Sequence, residues 1–312
     1  MVEAGLAMHR RTWDPAEIEA TIDRELREAG RTLDGRPHTV AHLWPALPGS
    51  GVTPVLYGYL AGLDEQRIKP SSHGQHFARY FVERWNRHDD SVCLSDAWDH
   101  ADHVVISGTD ETVAAVEATM GAARVTGYGH RVSFAIVEPD GAPERWADDL
   151  ATDIVMWHQQ GCFSARAVFY AGADPHAFGA ALGDAIARAE LALDATLDQR
   201  QLAHRMQRRG AAEFETTVFG SGLGWVELRD HFDGSLISPH TVTLVPFHGD
   251  HLPLGVPPRH TQGVALGVPA HRRAHWAAVA TAVGATRVCA PGELQMPPAS
   301  WPHDGRSNVF FL

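Results

Sequence analysis

Trp157-His158-Gln159-Gln160-Gly161-Cys162-Phe163-Ser164 joins two runs of different character. The residues before it, Glu144 to Met156, read as a helix. The short apolar run after it, Ala167-Val168-Phe169-Tyr170, reads as a strand. Helix, tight turn, strand is the unit of an α/β fold, and here the turn carries a cysteine directly behind a glycine. A cysteine held between two rigid elements can act as an exposed nucleophile, because the thiolate is the most nucleophilic side chain available near neutral pH. Alone, the same residue reads more simply as a small buried apolar side chain.

Upstream the alternation continues. Residues 14–30 read as a surface helix, with Asp14-Pro15 as N-cap and first turn and Ile18, Ile22 and Leu26 at helical spacing. Val40 to Trp44 is strand-like, followed by the Pro/Gly loop Pro45 to Gly51 and an apolar helix, Val52 to Leu63. Arg67 to Lys69 is a short strand running into Pro70-Ser71-Ser72, and a helix follows from His76 to Trp85. His103 to Ser107 is a strand that ends in Gly108-Thr109-Asp110-Glu111 before a helix from Thr112 to Met120. Strands at Arg124–Thr126 and Val132–Val137 flank Gly127-Tyr128-Gly129-His130-Arg131. The order predicts parallel sheets. The strand, small-residue turn and helix at 103–120 offer backbone N–H groups to an anion, although GxGxxG is absent.

Downstream, Asp174 to Leu193 is a helix rich in small residues, suited to close packing on a sheet. Gln199 to Arg209 is a charged helix, Ser221 to Trp225 a glycine-rich turn and Val242 to Phe247 a strand. His248 to Arg259 reads as irregular, Ala274 to Val283 as a helix and Thr286 to Cys289 as a strand. Glu138-Pro139-Asp140-Gly141 is the expected domain boundary. It separates residues 1–137 from 138–312.

Composition excludes several classes. The 312 residues are 44% hydrophobic and 21% charged, which is globular, and the net charge of −12 argues against a nucleic-acid groove. The three cysteines, Cys93, Cys162 and Cys289, are far apart, so neither a disulfide framework nor a CxxC metal site is expected. Twenty histidines are many, yet no HExxH occurs and no metal site is predicted. There is no signal-peptide core and no apolar run long enough to span a bilayer, so a cytoplasmic protein is expected.

Five stretches, taken together and in order, resemble one family. They are Lys69-Pro70-Ser71-Ser72, Ser107-Gly108-Thr109-Asp110-Glu111-Thr112, Gly127 to Ser133, His158 to Ser164, and Trp301-Pro302-His303-Asp304-Gly305-Arg306. The chain is similar, over residues 40–308, to the acyl-CoA reductases of bacterial bioluminescence type, a branch of the aldehyde dehydrogenase superfamily. It is shorter at the front than that family leads one to expect. The resemblance implies a two-domain α/β fold, each domain an open, mainly parallel sheet with flanking helices. The first domain would bind a nicotinamide cofactor and the second would bring the cysteine to it.

The resemblance also implies roles. Cys162 would attack an acyl thioester, acyl-CoA or an acyl-carrier protein, and form an acyl-enzyme whose reduction yields an aldehyde. Lys69 would hold the adenosine ribose. Ser71 and Ser72 stand where an NAD-preferring site often carries a glutamate, which points to NADPH. Gly108 and Thr109 would lie against the pyrophosphate. His130 occupies the region where hydrolytic relatives place a glutamate base. It would exchange protons with Cys162 or the leaving thiol, with His158 as a second candidate. The superfamily's oxyanion asparagine is missing from Trp44 to Ser50, leaving Ser50 or a backbone N–H as substitute donor. A homo-oligomer and an acyl-transferring partner subunit are expected. Two other readings stay open: a non-catalytic homologue serving as a partner subunit, and an aldehyde-oxidising dehydrogenase.

Overall fold

The computed structural model describes residues 2–197, 199–235, 238–249 and 251–311. It divides into two compact units. One comprises Leu6–His130 with Pro298–Leu312, and the other is essentially Arg131–Pro297.

After α1 (Val2–Arg10), the first unit begins with α2 (Pro15–Ala29). Asp14 caps α2 by accepting from the Ala16 N–H at 3.0 Å, and Pro15 occupies the first turn, where a missing N–H costs nothing. Gly30, at φ +60°, closes the other end in the left-handed region that a Cβ would disfavour. There follow β1 (Thr39–Trp44), α3 (Val52–Leu60), β2 (Glu65–Pro70), α4 (Gln75–Trp85) and β3 (Val92–Leu94). Then come β4 (His103–Ser107), α5 (Asp110–Met120) and β5 (Val125–Tyr128). The strands form one parallel sheet in the order β3-β2-β1-β4-β5.

Side chains alternate across this sheet as the two-residue strand period requires. Val40 and Val105 join Ile18, Ile22 and Tyr57 in one apolar cluster, whereas Ala41, Val104 and Ile106 join Val116 and Met120 in another. The C-terminal segment returns to this unit. The Tyr57 hydroxyl donates to Ala299 O at 2.9 Å and Thr126 Oγ1 to Phe310 O at 2.9 Å. Glu25 accepts from Ser307 Oγ and the Val309 N–H. The expected second domain, 138–312, includes this segment, which the structure places in the first unit. Val309 and Phe310 at its end are buried in the apolar cluster around Ile18 and Tyr57, which draws the segment back to the first unit.

The second unit contains β6 (Val132–Val137), α6 (Ala147–Val155), β7 (Ala165–Tyr170), α7 (Pro175–Ala192) and α8 (Gln199–Glu215). It continues with β8 (Val218–Phe219), β9 (Trp225–Leu228), β10 (Thr241–Pro246), β11 (Thr261–Gly267), α9 (Arg273–Ala282) and β12 (Arg287–Cys289). The sheet order is β12-β11-β6-β7-β10-β9-β8, parallel except for the β8–β9 edge pair. The strand at 132–137, read from sequence as the end of the first domain, therefore belongs near the middle of the second sheet. It is buried throughout: Val132, Phe134 and Ile136 join one cluster, while Ala135 and Val137 join the other. The small residues of α7 allow close approach, since a Cβ on Gly183 would come within 2.6 Å of the Gly220 backbone nitrogen. Each unit is thus an α/β domain built on a mainly parallel sheet.

Candidate functional site

In the first unit, five of the residues singled out in the sequence gather at the carboxyl ends of β2 and β4, on either side of β1. Leu43 of β1 pairs with Lys69 on one side and Ile106 on the other, so these three share one register row. The strand order reverses direction at β1, and ligands of open α/β sheets bind outside the carboxyl ends of the strands at such a point. The Lys69 ammonium lies 5.5 Å from the centroid of the Trp98 ring, a cation–π distance. The Ser71 hydroxyl is buried and has no hydrogen-bond partner among the described residues. Ser72 is exposed in the turn that leads to α4. Gly108 is exposed, and a Cβ there would meet only the Thr112 side chain, at an ordinary 3.5 Å. Nothing in the chain itself requires glycine at 108, which fits a position kept open for a ligand.

The start of α5 is less open than the sequence suggests. Thr109 Oγ1 accepts from the Thr112 N–H, so its hydroxyl caps the helix. Asp110 and Glu111 occupy the first turn. The Glu111 N–H and the Thr109 hydroxyl hold the Glu111 carboxyl below the usual carboxylate range. An anion bound here would rely on Lys69, Ser71, Ser72 and the backbone at Gly108 more than on the helix end. His130, also in the first unit, is exposed, and its N–H donates to Asp110 Oδ1 at 2.7 Å. In the loop after β1, Ser50 Oγ donates to Leu47 O at 2.8 Å, so its proton is already engaged.

Cys162 lies in the second unit, in the turn between α6 and β7, and is half-buried. The turn is closed by the Ser164 N–H on Gly161 O at 3.1 Å. Before it, Trp157, His158 and Gln159 have φ of +58°, +53° and +58°. Three successive non-glycine residues in the left-handed region cost of order 1 kcal/mol each and persist only where surroundings over-determine them.

Three sets of contacts do so. The Gln159 amide is fully buried: Nε2 donates to Ala165 O at 2.7 Å and Thr241 O at 2.9 Å, and Oε1 accepts from the Thr241 N–H at 3.1 Å. Ser133 Oγ donates to Cys162 O at 2.7 Å and accepts from the Gly263 N–H at 3.1 Å, pinning the cysteine's carbonyl between β6 and β11. Gln295 Nε2 donates to Ser164 Oγ at 3.0 Å and to Asp153 O at 3.1 Å. Asp153 accepts from the Gly292 and Leu294 N–H groups at 2.7 and 3.1 Å. Burial nevertheless pushes its carboxyl up to about 7.

His158 begins a fourth set. Its Nδ1 lies 3.2 Å from His240 Nε2, with the two rings stacked, and His240 Nδ1 lies 2.7 Å from Glu190 Oε1. A carboxylate can only accept, so His240 carries its hydrogen on Nδ1. For neutral rings, His240 Nε2 then accepts from His158 Nδ1–H, which leaves the lone pair of His158 on Nε2. Glu190 also accepts from the Leu223 N–H at 2.9 Å and lies 3.8 Å from buried Arg205. Burial, followed by His240 and Arg205, lowers the His158 pKa, which favours the neutral ring.

Cys162 and His158 are candidates by sequence; Ser133 and Gln159 lie within the quoted stretches without a role, and Gln295, His240 and Glu190 lie outside them. Ser133 and Gln159 left a trace as polar residues inside buried stretches. The others are reached only through the fold. Among the described residues no three His, Cys, Asp or Glu side chains converge as metal ligands, and no helix is long and apolar enough to cross a membrane.

Comparison with known proteins agrees with this architecture. Among solved structures, an oxidoreductase from Marinobacter aquaeolei superposes with a TM-score of 0.66 at 15% identity, covering 88% of this chain and 68% of that one. The methylmalonate-semialdehyde dehydrogenase of Oceanimonas doudoroffii gives 0.65 at 15% identity, covering 88% and 68%. An indole-3-acetaldehyde dehydrogenase solved with NAD+ gives 0.64 at 13% identity, covering 82% of this chain and 61% of that one. At these identities the likeness is one of fold, the two-domain fold of aldehyde dehydrogenases. A long-chain acyl-protein thioester reductase of Aliivibrio fischeri is 34% identical over 87 residues, which is 27% of this chain and 18% of that protein. The family model described as acyl-CoA reductase (LuxC) matches residues 46–310. With that match running through both sheets and across the Cys162 turn, the chain belongs to the acyl-CoA reductase (LuxC) family.

Proposed function

We propose that this protein reduces an acyl thioester, carried by CoA or by a carrier protein, to the aldehyde, with Cys162 as nucleophile and NADPH as reductant. The observation that carries the reading is the Cys162 turn: a half-buried thiol with its carbonyl pinned by Ser133, in a chain of an acyl-CoA reductase family.

The Cys162 sulfur attacks the thioester carbonyl, the bond to the carrier sulfur breaks, and the carrier leaves as its thiol. The acyl group is then held on Cys162. The oxyanion formed at that carbon needs donors already in place, and the Cys162 backbone N–H is the candidate, since the Ser50 proton is engaged with Leu47 O. When the acyl carbon has been reduced, the carbon–sulfur bond breaks, aldehyde leaves and the thiolate is restored. A neutral imidazole suits both proton transfers. His158, held by His240 and Glu190 with its lone pair on Nε2, is favoured over exposed His130.

A nicotinamide cofactor, when bound, supplies the hydride. Lys69, Ser71 and Ser72 would hold its adenosine end and Gly108 would leave room for the pyrophosphate. The buried, unpartnered Ser71 hydroxyl and the open space at Gly108 fit this assignment. The absence of a carboxylate among Ser71, Ser72 and His73 supports NADPH over NADH.

The test is incubation with radiolabelled acyl-CoA and NADPH. Label retained on Cys162 before NADPH is added, then NADPH oxidation with release of the label as aldehyde, are expected, all lost in Cys162→Ala. No label and no oxidation, with either CoA or carrier-protein thioesters, sinks the reading. That outcome would favour a non-catalytic partner subunit, a second reading that the engaged Ser50 proton supports.

A further inference from the structure

We propose that Arg166 is the cation of the Cys162 turn and holds the sulfur in its anionic, attacking form. The inference deepens the proposed function and rests on Cys162 being the nucleophile, but it is tested without turnover.

Three observations point to Arg166. The first is its place in the sheet. Ser133 pairs with Ala165 and Ala135 with Val168, so β7 carries one more residue than β6 across this interval. Arg166 lies in that bulge, four residues after Cys162. A bulge breaks the strict in-and-out alternation of a strand and re-aims the side chains within it, and such bulges recur beside active sites.

The second is the lack of a conventional partner. Arg166 is half-buried, and its Nε is buried with no hydrogen-bond partner. Among the described residues no carboxylate forms an ion pair with it. Other partly or fully buried arginines of this chain do have acceptors: Arg205 faces Glu190, Arg229 faces Glu227 and Arg272 faces Glu138, while Arg287 donates to the Glu293 and Met296 carbonyls. A guanidinium taken partly out of water without a counter-charge is costly, and such a cost persists where the cation serves an anion.

The third is electrostatic. Burial lowers the Arg166 pKa, and Cys162 raises it again. The two groups therefore attract when the thiol is ionised, and by reciprocity the guanidinium favours the thiolate. Arginine suits the task because it keeps its charge at any pH the protein meets. A cation beside the nucleophile is also a standard means of making a thiolate available near neutral pH.

The experiment is alkylation by iodoacetamide, followed at the Cys162 peptide by mass spectrometry, so that Cys93 and Cys289 do not enter. In Arg166→Met and Arg166→Gln the rate at pH 7 should fall about tenfold, the effect of losing one adjacent opposite charge. At pH 10, where the thiol is ionised without help, the variants and the parent should react alike. Arg166→Lys should restore most of the rate at pH 7. Equal rates at pH 7 would overturn the proposal. So would a deficit of the same size at pH 10, which marks altered access to the sulfur. If Cys162 shows this dependence but takes no acyl label, the catalytic reading fails while the pairing with Arg166 stands.

Discussion

Acidification should weaken the first unit, whereas in the second the buried Asp153 carboxyl acts in the opposite sense and offsets the weakening that His158 causes there. In the first, His42 of β1 is 1% exposed, with Nε2 2.9 Å from Gln66 Oε1, and His103 of β4 is 8% exposed, with Nε2 2.9 Å from Thr126 Oγ1. Burial is the main cause that depresses both to about 4, from 6.5 in the open chain. Above pH 6.5 the rings are neutral in both states and contribute nothing to pH dependence. Between 6.5 and about 4 the unfolded chain takes up protons that the folded one refuses, so stability falls with pH across that window. From pH 7 to pH 5 the loss is about 2 kcal/mol per ring, about 4 kcal/mol for both. That is a large share of the roughly 5–15 kcal/mol stability of an ordinary domain. In the second unit, the Asp153 carboxyl is raised to about 7 from 3.8. The sign reverses. Its contribution is complete below 3.8 and is lost as pH rises to about 7, so the same step to pH 5 adds about 2 kcal/mol. Peptide-resolved hydrogen exchange, corrected for intrinsic rates, reads the two units separately. Protection at 39–44 and 103–107 should drop at pH 5 while that at 147–155 holds or rises. A chain with His42→Gln and His103→Gln should lose most of the pH dependence in the first unit. Unchanged protection of β1 and β4 between pH 7 and 5, or a slope that survives the double substitution, would refute the reasoning.

Two further outcomes test packing around the candidate site. Gln159→Leu leaves two buried carbonyls and one buried N–H without their partner, so urea unfolding should show a loss of about 3 kcal/mol or more. A loss under 1 kcal/mol would mean that water or a neighbour replaces the amide. Gly183→Ala places a methyl 2.6 Å from the Gly220 backbone nitrogen, where no flexible side chain can move aside. It should lower stability by about 1–3 kcal/mol by overpacking, although alanine is the better helix former; a stabilised variant would contradict the close approach of α7.

The sequence by itself determined the family, the α/β class and most elements of strong period. The helix at 14–30 was legible because Asp14-Pro15 and Gly30 are chemical instructions for a beginning and an end. The turn at 157–164 was legible because helix and strand flank it. β11 was not predicted. Thr261-Gln262-Gly263-Val264-Ala265-Leu266-Gly267 is buried at every position, so it shows neither alternation nor a helical stripe. β9, only four residues long, follows a glycine-rich turn and is too short to show a period of its own. The extent of the two units was also hidden. Residues 132–137 adjoin the first unit in sequence yet lie in the second sheet, and the C-terminal segment belongs with helices laid down at the start of the chain.

At the candidate site the division is the same. The ordered stretches that carry the family resemblance single out Cys162, Lys69, Ser71, Ser72 and Gly108 as candidates, a choice that residue type alone does not make. What only the tertiary structure decided is which groups those residues work beside. Ser133 reaches the Cys162 carbonyl across 29 positions of chain, His240 reaches His158 across 82, and Glu190 reaches His240 across 50. The Ser50 hydroxyl, a candidate donor by composition, instead donates to Leu47 O three residues away. A hydrogen bond depends on position and direction in space, and the order of residues along the chain fixes neither until the sheets have formed.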